Sequence, residues 1–209
     1  MQLHSSRLGL ALSFLVAVSA SPAARAQTDV ALSVYGTFTG TTNYNGGLEH
    51  QKAVDTLGGM FELRHISSPL IGYEGTYSFN RANQEYWYTG GVPAGFPPGI
   101  FVNALSANAH QITGDWVFSA HAGNFRPFAL AGAGLRLNEP ASGQSQTKSA
   151  SEPVYVYGFG VDWKIVPHFG LRLQYRGNLY KAPAISTAFG SNGSLMHTAE
   201  PTIGAYIKF

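Results

Sequence analysis

Apolar and polar side chains alternate along separate stretches of this 209-residue chain, and that period of two commits it to β-structure. Eight such stretches run near 28–42, 52–66, 70–81, 105–119, 126–138, 152–165, 169–181 and 196–209. In the second, Leu57, Gly59, Phe61 and Leu63 oppose Met60, Glu62 and Arg64. In the third, Tyr73, Gly75, Tyr77 and Phe79 oppose Glu74, Thr76, Ser78 and Asn80. The sixth sets Tyr155, Tyr157, Phe159, Val161 and Trp163 against Gly158, Gly160, Asp162 and Lys164. The seventh sets Leu171, Leu173, Tyr175 and Leu179 against Arg172, Gln174 and Arg176. The last alternates Ile203, Ala205, Ile207 and Phe209 with Thr202, Gly204, Tyr206 and Lys208. The fourth and fifth declare no face. Asn108 and His110 fall out of phase with Gln111, Thr113 and Asp115, which suggests a bulge.

The connections alternate in length. After the second, fourth and sixth stretches they are short: Ser67-Ser68-Pro69, about Ala120 to Phe125, and Val166-Pro167-His168. After the odd-numbered stretches they are longer and rich in Gly, Pro, Ser and Asn, and the longest runs from about Ala82 to Ala104. An even strand count with short turns at one end and long loops at the other is the plan of a closed up-and-down barrel. The expected fold is therefore all-β, an eight-stranded antiparallel up-and-down transmembrane β-barrel.

The N-terminus supports a destination outside the cytoplasm. Arg7 precedes the uncharged run Leu8 to Ala20, and Ala24-Arg25-Ala26 places small residues where a signal peptidase needs them. Residues 1–26 read as a secretory signal peptide and 27–209 as one barrel domain. The run is short of the roughly 20 apolar residues that a membrane helix requires. Removing 1–26 lowers Lys+Arg from 13 to 11, equal to the 11 Asp+Glu, so the mature chain is neutral and nucleic acid is not an expected partner. The chain lacks cysteine, which excludes thiolate metal sites and cysteine nucleophiles.

Alternation alone does not say which face points out. A soluble lipocalin-like carrier would also have eight alternating strands, with the apolar face turned inward. Charged residues are only 11% of the chain, too few for a fully solvated exterior, and aromatics crowd the apolar face as interfacial girdles require. The apolar face is therefore expected to meet lipid, where closure of the sheet satisfies every backbone polar group. Pro201 fits poorly inside a closed sheet and is expected at the outer end of the last strand or at a bulge.

The terminal octet Thr202 to Phe209 resembles the closing-strand signal of bacterial outer-membrane barrels, with Thr202, Gly204, Ile207 and Phe209 in the signal positions. Residues 28–209 as a whole resemble small outer-membrane β-barrel proteins of the OmpA/OmpX type. That resemblance implies a Gram-negative outer membrane, a porin-like envelope protein, and recognition of the octet by the barrel-assembly machinery. OmpA-like proteins often continue into a peptidoglycan-binding domain, and with the sequence stopping at Phe209 a barrel-only relative is expected. Lipid and lipopolysaccharide of that membrane, and an unidentified extracellular partner, are the implied contacts.

The polar faces supply Glu62, Arg64, Glu74, Asp115, Asp162, Lys164, Arg172, Arg176 and Glu200, with Lys208 at the last turn. Ionised groups in a confined lumen must pair, so an interior network of Arg–carboxylate bridges and waters is expected. No catalytic, cofactor or metal constellation is legible. His65 and Ser67 stand two residues apart, as in outer-membrane lipid A deacylases, but beside a short turn and away from outer-leaflet lipid. The expected role is a non-enzymatic one, structural, adhesive or surface-interacting through long loops, with Tyr86, Trp87, Tyr88 and Phe96 as loop contact candidates. The alternatives are a narrow channel or hydrophobic small-molecule conduit, a lipid A-modifying enzyme, and the lipocalin-like carrier.

Overall fold

The strand that begins the described chain and the strand that ends it lie side by side, which closes the sheet into a barrel. A computed structural model describes residues 27–44, 49–68, 70–88, 102–144, 146–187 and 193–209. The strands are β1 (Gln27–Thr39), β2 (Thr42–Tyr44), β3 (Glu49–Ala53), β4 (Thr56–Ile66), β5 (Ile71–Tyr88), β6 (Val102–Ser119), β7 (Phe125–Pro140), β8 (Ala150–Val166), β9 (Phe169–Lys181) and β10 (Leu195–Lys208). Every pairing is antiparallel, and the ring runs β1-β10-β9-β8-β7-β6-β5-β4 and back to β1. The eight alternating stretches are these eight ring strands. The short hairpin β2–β3 is an outward extension, with β3 continuing along β5 above β4.

The orientation of the faces follows the lipid reading. Leu32, Leu57, Ile112, Trp116, Phe159 and Leu173 are among the large apolar residues that the barrel exposes, while Glu62, Arg64, Glu74, Arg172, Arg176 and Glu200 are buried inside it. A soluble carrier would show the reverse. Short turns join β4 to β5, β6 to β7 and β8 to β9 at the end that also holds Gln27 and Phe209. The long connections lie at the other end, as the alternation in loop length requires.

Three local expectations need correction. No bulge occurs at Asn108 and His110, since the β5–β6 register is unbroken from Ile71↔Phe118 to Trp87↔Val102. His110 points outward, where Tyr77 Oη lies 2.8 Å from its Nδ1 and the Phe79 ring packs beside it. The imidazole is accommodated on that outward face by these two aromatic neighbours. Pro201 lies within β10, opposite Tyr175 of β9, and introduces no bulge. Because proline donates no hydrogen bond, the β1–β10 ladder lapses between Tyr35↔Thr202 and Phe38↔Ala199 and resumes in the same register. Lastly, the residues 82–88 belong to β5 and 102–104 to β6, not to a loop. An 18-residue strand spans about 60 Å, so β5 and β6 rise far beyond a band about 25 Å tall.

Gly204 shows why the closing strand needs a residue without a side chain. It faces Ser33 across the β1–β10 seam, and a Cβ on it would stand 2.0 Å from Ser33 Oγ and 2.7 Å from the Leu32 carbonyl oxygen. That hydroxyl is committed inward, donating to Glu62 Oε2 at 2.6 Å. The glycine thus lets the seam close over a polar contact of the interior.

Candidate functional site: the buried ion-pair belt

The interior charges are placed by strand register. Arg64 of β4 sits directly opposite Glu74 of β5, Glu74 opposite Asp115 of β6, and Asp162 of β8 opposite Arg172 of β9. Neighbouring strands bring such pairs within reach on the same face. Arg64 Nε donates to Glu74 Oε2 at 2.7 Å and Arg172 Nε to Asp162 Oδ1 at 2.7 Å.

Other contacts cross the lumen. Arg64 Nη1 reaches Asp162 Oδ2 at 3.1 Å, Arg176 Nη1 reaches Glu74 Oε1 at 3.0 Å, and Arg176 Nη2 reaches Asp115 Oδ2 at 2.8 Å. Arg172 Nη2 donates to Asp29 Oδ1 at 2.8 Å. Gln174 donates to Glu62 Oε1 at 2.7 Å. Phe128 closes one side, with the Arg64 guanidinium 4.0 Å from its ring centre. The result is a belt of three buried arginines and five buried carboxylates near the short-turn end, Asp29, Glu62, Glu74, Asp115 and Asp162 being the acids.

Of the residues read from sequence, Glu62, Arg64, Glu74, Asp115, Asp162, Arg172 and Arg176 meet in this belt. Two do not. Glu200 is buried one layer outward, beside the Pro201 lapse, and makes no ion pair among the described residues. Lys164 is exposed at the short-turn rim, where the β8–β9 register shifts between Lys164 and Val166 and the long side chain reaches water. Asp29, Arg126 and Arg136 were missed. Arg126 and Arg136 are separated by an even number, so they share a face, and that spacing marks the inner face of the glycine-rich fifth stretch.

Above the belt the interior stays polar, with Arg136 and Glu200 buried among neutral hydrogen-bonding side chains, and then turns apolar. Arg136 Nη1 donates to Gln111 at 3.3 Å, Gln111 donates to Asn178 at 3.1 Å, and the Tyr180 hydroxyl lies 2.9 Å from Thr198 Oγ1. At the outer end the segment after β9 folds inward. Ile185 is fully buried in a cluster with Tyr86, Leu105, Ala107 and Ala150. Gln51 donates to the Pro183 carbonyl at 3.0 Å, and the backbone N–H of Lys148 donates to the Ile185 carbonyl at 2.9 Å.

Tyr86, expected as an exposed loop contact, is therefore a buried part of this cap, because β5 continues through it with its side chain inward. Trp87, the next residue, faces outward and stacks on His50 with ring centres 5.2 Å apart. Tyr88 ends β5, and Phe96 lies outside the described residues. His65 and Ser67 form no pair. His65 Nδ1 lies 2.9 Å from Thr28 Oγ1, and the Ser67 backbone N–H donates to the Ile71 carbonyl. The signal residues divide by face, with Thr202 and Gly204 buried and Ile207 and Phe209 exposed.

A profile of the outer membrane protein beta-barrel domain matches residues 10–209. The chain belongs to the outer-membrane β-barrel family. Membership places it in the Gram-negative outer membrane. No curated protein matches this barrel in sequence. Among solved structures it is similar to Ail, the attachment invasion locus protein of Yersinia pestis, determined with the heparin analogue sucrose octasulfate (15% identity, 89% of this chain, 100% of that one, TM-score 0.54). It is also similar to Neisserial surface protein A (12% identity, 90% and 100% covered, TM-score 0.54) and to OprG from Pseudomonas aeruginosa (12% identity, 90% and 98% covered, TM-score 0.56). At these identities the likeness is one of fold.

Proposed function

We propose that this outer-membrane barrel is a closed, non-enzymatic scaffold that presents its tall outer strands to the outside of the cell for contact with a partner. The observation that carries this reading is the filled interior. The ion-pair belt occupies one end, the Ile185 cap the other, and a hydrogen-bonded layer lies between. Eight strands enclose only enough space for side chains, so a filled lumen is the physically economical state. What varies outward is the β5–β6 extension with the β2–β3 hairpin on it, where Trp87 and His50 form an aromatic surface.

Two measurements test it. The refolded barrel should be silent in planar-bilayer recording, and steady unitary currents would overturn the closed-scaffold reading. Cells displaying the barrel should bind an immobilised panel of matrix proteins and sulfated polysaccharides better than cells displaying the His50→Ala/Trp87→Ala variant, which removes the outer aromatic surface. Equal binding counts against a surface-interaction role and leaves a purely structural one.

The exposed Phe209 serves assembly on this reading. Its backbone N–H donates to the Thr28 carbonyl at 2.8 Å, which fixes the chain end to β1, while the ring is left on the outer surface. Phe209→Ala removes no interior contact, so the barrel should refold normally in detergent yet reach the outer membrane at a clearly reduced level. Unchanged levels in membrane fractions would remove the residue from the assembly signal.

A further inference from the structure

The belt leaves one group of cations unused. At the short-turn mouth, Arg126, Lys164 and Lys208 line a cavity of about 60 Å³ together with His121, Asn124 and Tyr206. Three elements bring them there. Arg126 is opposite Asp162 in the β7–β8 ladder, Lys164 lies two residues further along β8, and Lys208 is opposite Asp29 at the end of β10.

None of the three makes an ion pair among the described residues, where the interior bridges all run through Arg64, Arg172 and Arg176. Asp29 and Asp162 also line the cavity, but Arg172 and Arg64 hold both oxygens of Asp162, and Arg172 holds Oδ1 of Asp29. Arg126 is about nine-tenths buried, and its Nη2 contacts are neutral: the side-chain oxygen of Gln27 and Nε2 of His121, at 2.8 Å from the latter. An imidazole that accepts from a guanidinium is itself uncharged. Partial burial and then the positive charge of Arg126, Lys208 and Lys164 hold His121 below its usual pKa.

Three cations face one small hollow; the nearest carboxylates, Asp29 and Asp162, act on Arg126 at longer range and form no ion pair with any of the three. A buried guanidinium with two flexible ammonium groups at its rim matches a small tetrahedral oxyanion, which accepts charge-assisted hydrogen bonds from several directions at once. The turn that borders the cavity adds rigidity: Ala122 and Phe125 exchange backbone hydrogen bonds, and Asn124 accepts from the Lys164 N–H at 2.8 Å. Gly123 takes a positive φ of 64° between them. In this architecture the short turns face the periplasm, so the cavity opens where the inner-leaflet headgroups end.

We propose that the short-turn mouth of the barrel is a binding site for a phosphate-type oxyanion, supplied as free phosphate or as the headgroup of an inner-leaflet lipid.

The test uses the full barrel refolded into phosphatidylcholine nanodiscs and titrated with inorganic phosphate at constant ionic strength. Amide resonances of Gly123, Asn124 and Arg126 should shift saturably with phosphate and not with chloride. The double substitution Lys164→Gln/Lys208→Gln should weaken the apparent affinity by about tenfold or more, since two charge-assisted contacts are lost. Both lysines are at least partly exposed, so the variant keeps its fold, which heat-modifiable gel mobility verifies.

Phosphatidylglycerol added to the nanodiscs separates the sources. If it shifts the same amides and blocks the phosphate titration, the lipid headgroup is the ligand; if the phosphate titration is unaffected, the free anion is. Absence of a saturable shift with either ligand overturns the proposal. So does equal binding by the double variant, which would reduce the three cations to a counterweight for the acid excess of the belt.

Discussion

Replacing Arg172 by methionine should destabilise the barrel by about 3–5 kcal/mol. Arg172 is fully buried, and its guanidinium donates to Asp162 at 2.7 and 3.2 Å and to Asp29 at 2.8 Å, with Glu62 and Glu74 at 3.5 and 3.6 Å. Methionine fills similar space but supplies no charge, so carboxylates already taken out of water are left facing one another. The penalty is that of an uncompensated buried charge, which far exceeds the net worth of the intact bridge. Urea unfolding of the barrel refolded into vesicles measures it. A second substitution, Asp162→Asn, made together with Arg172→Met, should recover part of the loss, because it removes one of the stranded charges. A single-variant cost below about 1 kcal/mol would mean that the belt behaves like a solvated surface network.

Leu173→Arg should cost about 2–4 kcal/mol, for the opposite reason. Leu173 is 51% exposed on the outer wall, a few residues from the short-turn end of β9, between Val161 and Ile203 on the flanking strands. In water such a side chain would accept a charge at no cost. Near the middle of a hydrocarbon layer the guanidinium must be dehydrated or snorkel a long way to the headgroups. The same unfolding experiment in vesicles reads the effect, and the variant should be almost indistinguishable from the parent in a micelle whose surface water is close at hand. A neutral outcome in vesicles would place this face away from the membrane core.

These two residues also show what a reader of the sequence can and cannot see. Arg172 and Leu173 are adjacent and chemically opposite, so the period of two is plain, and the strands carrying such pairs were legible to within a few residues. The pattern fails where its cause stops. From Ala82 to Trp87 the inward residues of β5 are Ala82, Gln84 and Tyr86, and the outward ones Asn83, Glu85 and Trp87. Above the bilayer neither face meets lipid, so both mix polar and apolar residues and the strand passes for a loop. The hairpin β2–β3 escaped notice for the same reason. The ion-pair belt was half legible, because charge on an inward face must pair, whereas the partners depend on register. The rim position of Lys164 depended on a register shift at the β8–β9 turn, which no local pattern announces.

The two ends of the interior are closed by unlike means. Salt bridges respond to charge and ionic conditions, and the Ile185 cluster responds to temperature and to whatever contacts the outer loops. Passage of a solute through the barrel would therefore be a joint event, requiring an electrostatic rearrangement and an apolar one at the same moment. The chances of independent openings multiply, so loosening either end alone leaves the other to hold the membrane barrier. On the closed-scaffold reading, the outer end can be exposed without the integrity of the envelope resting on any single contact.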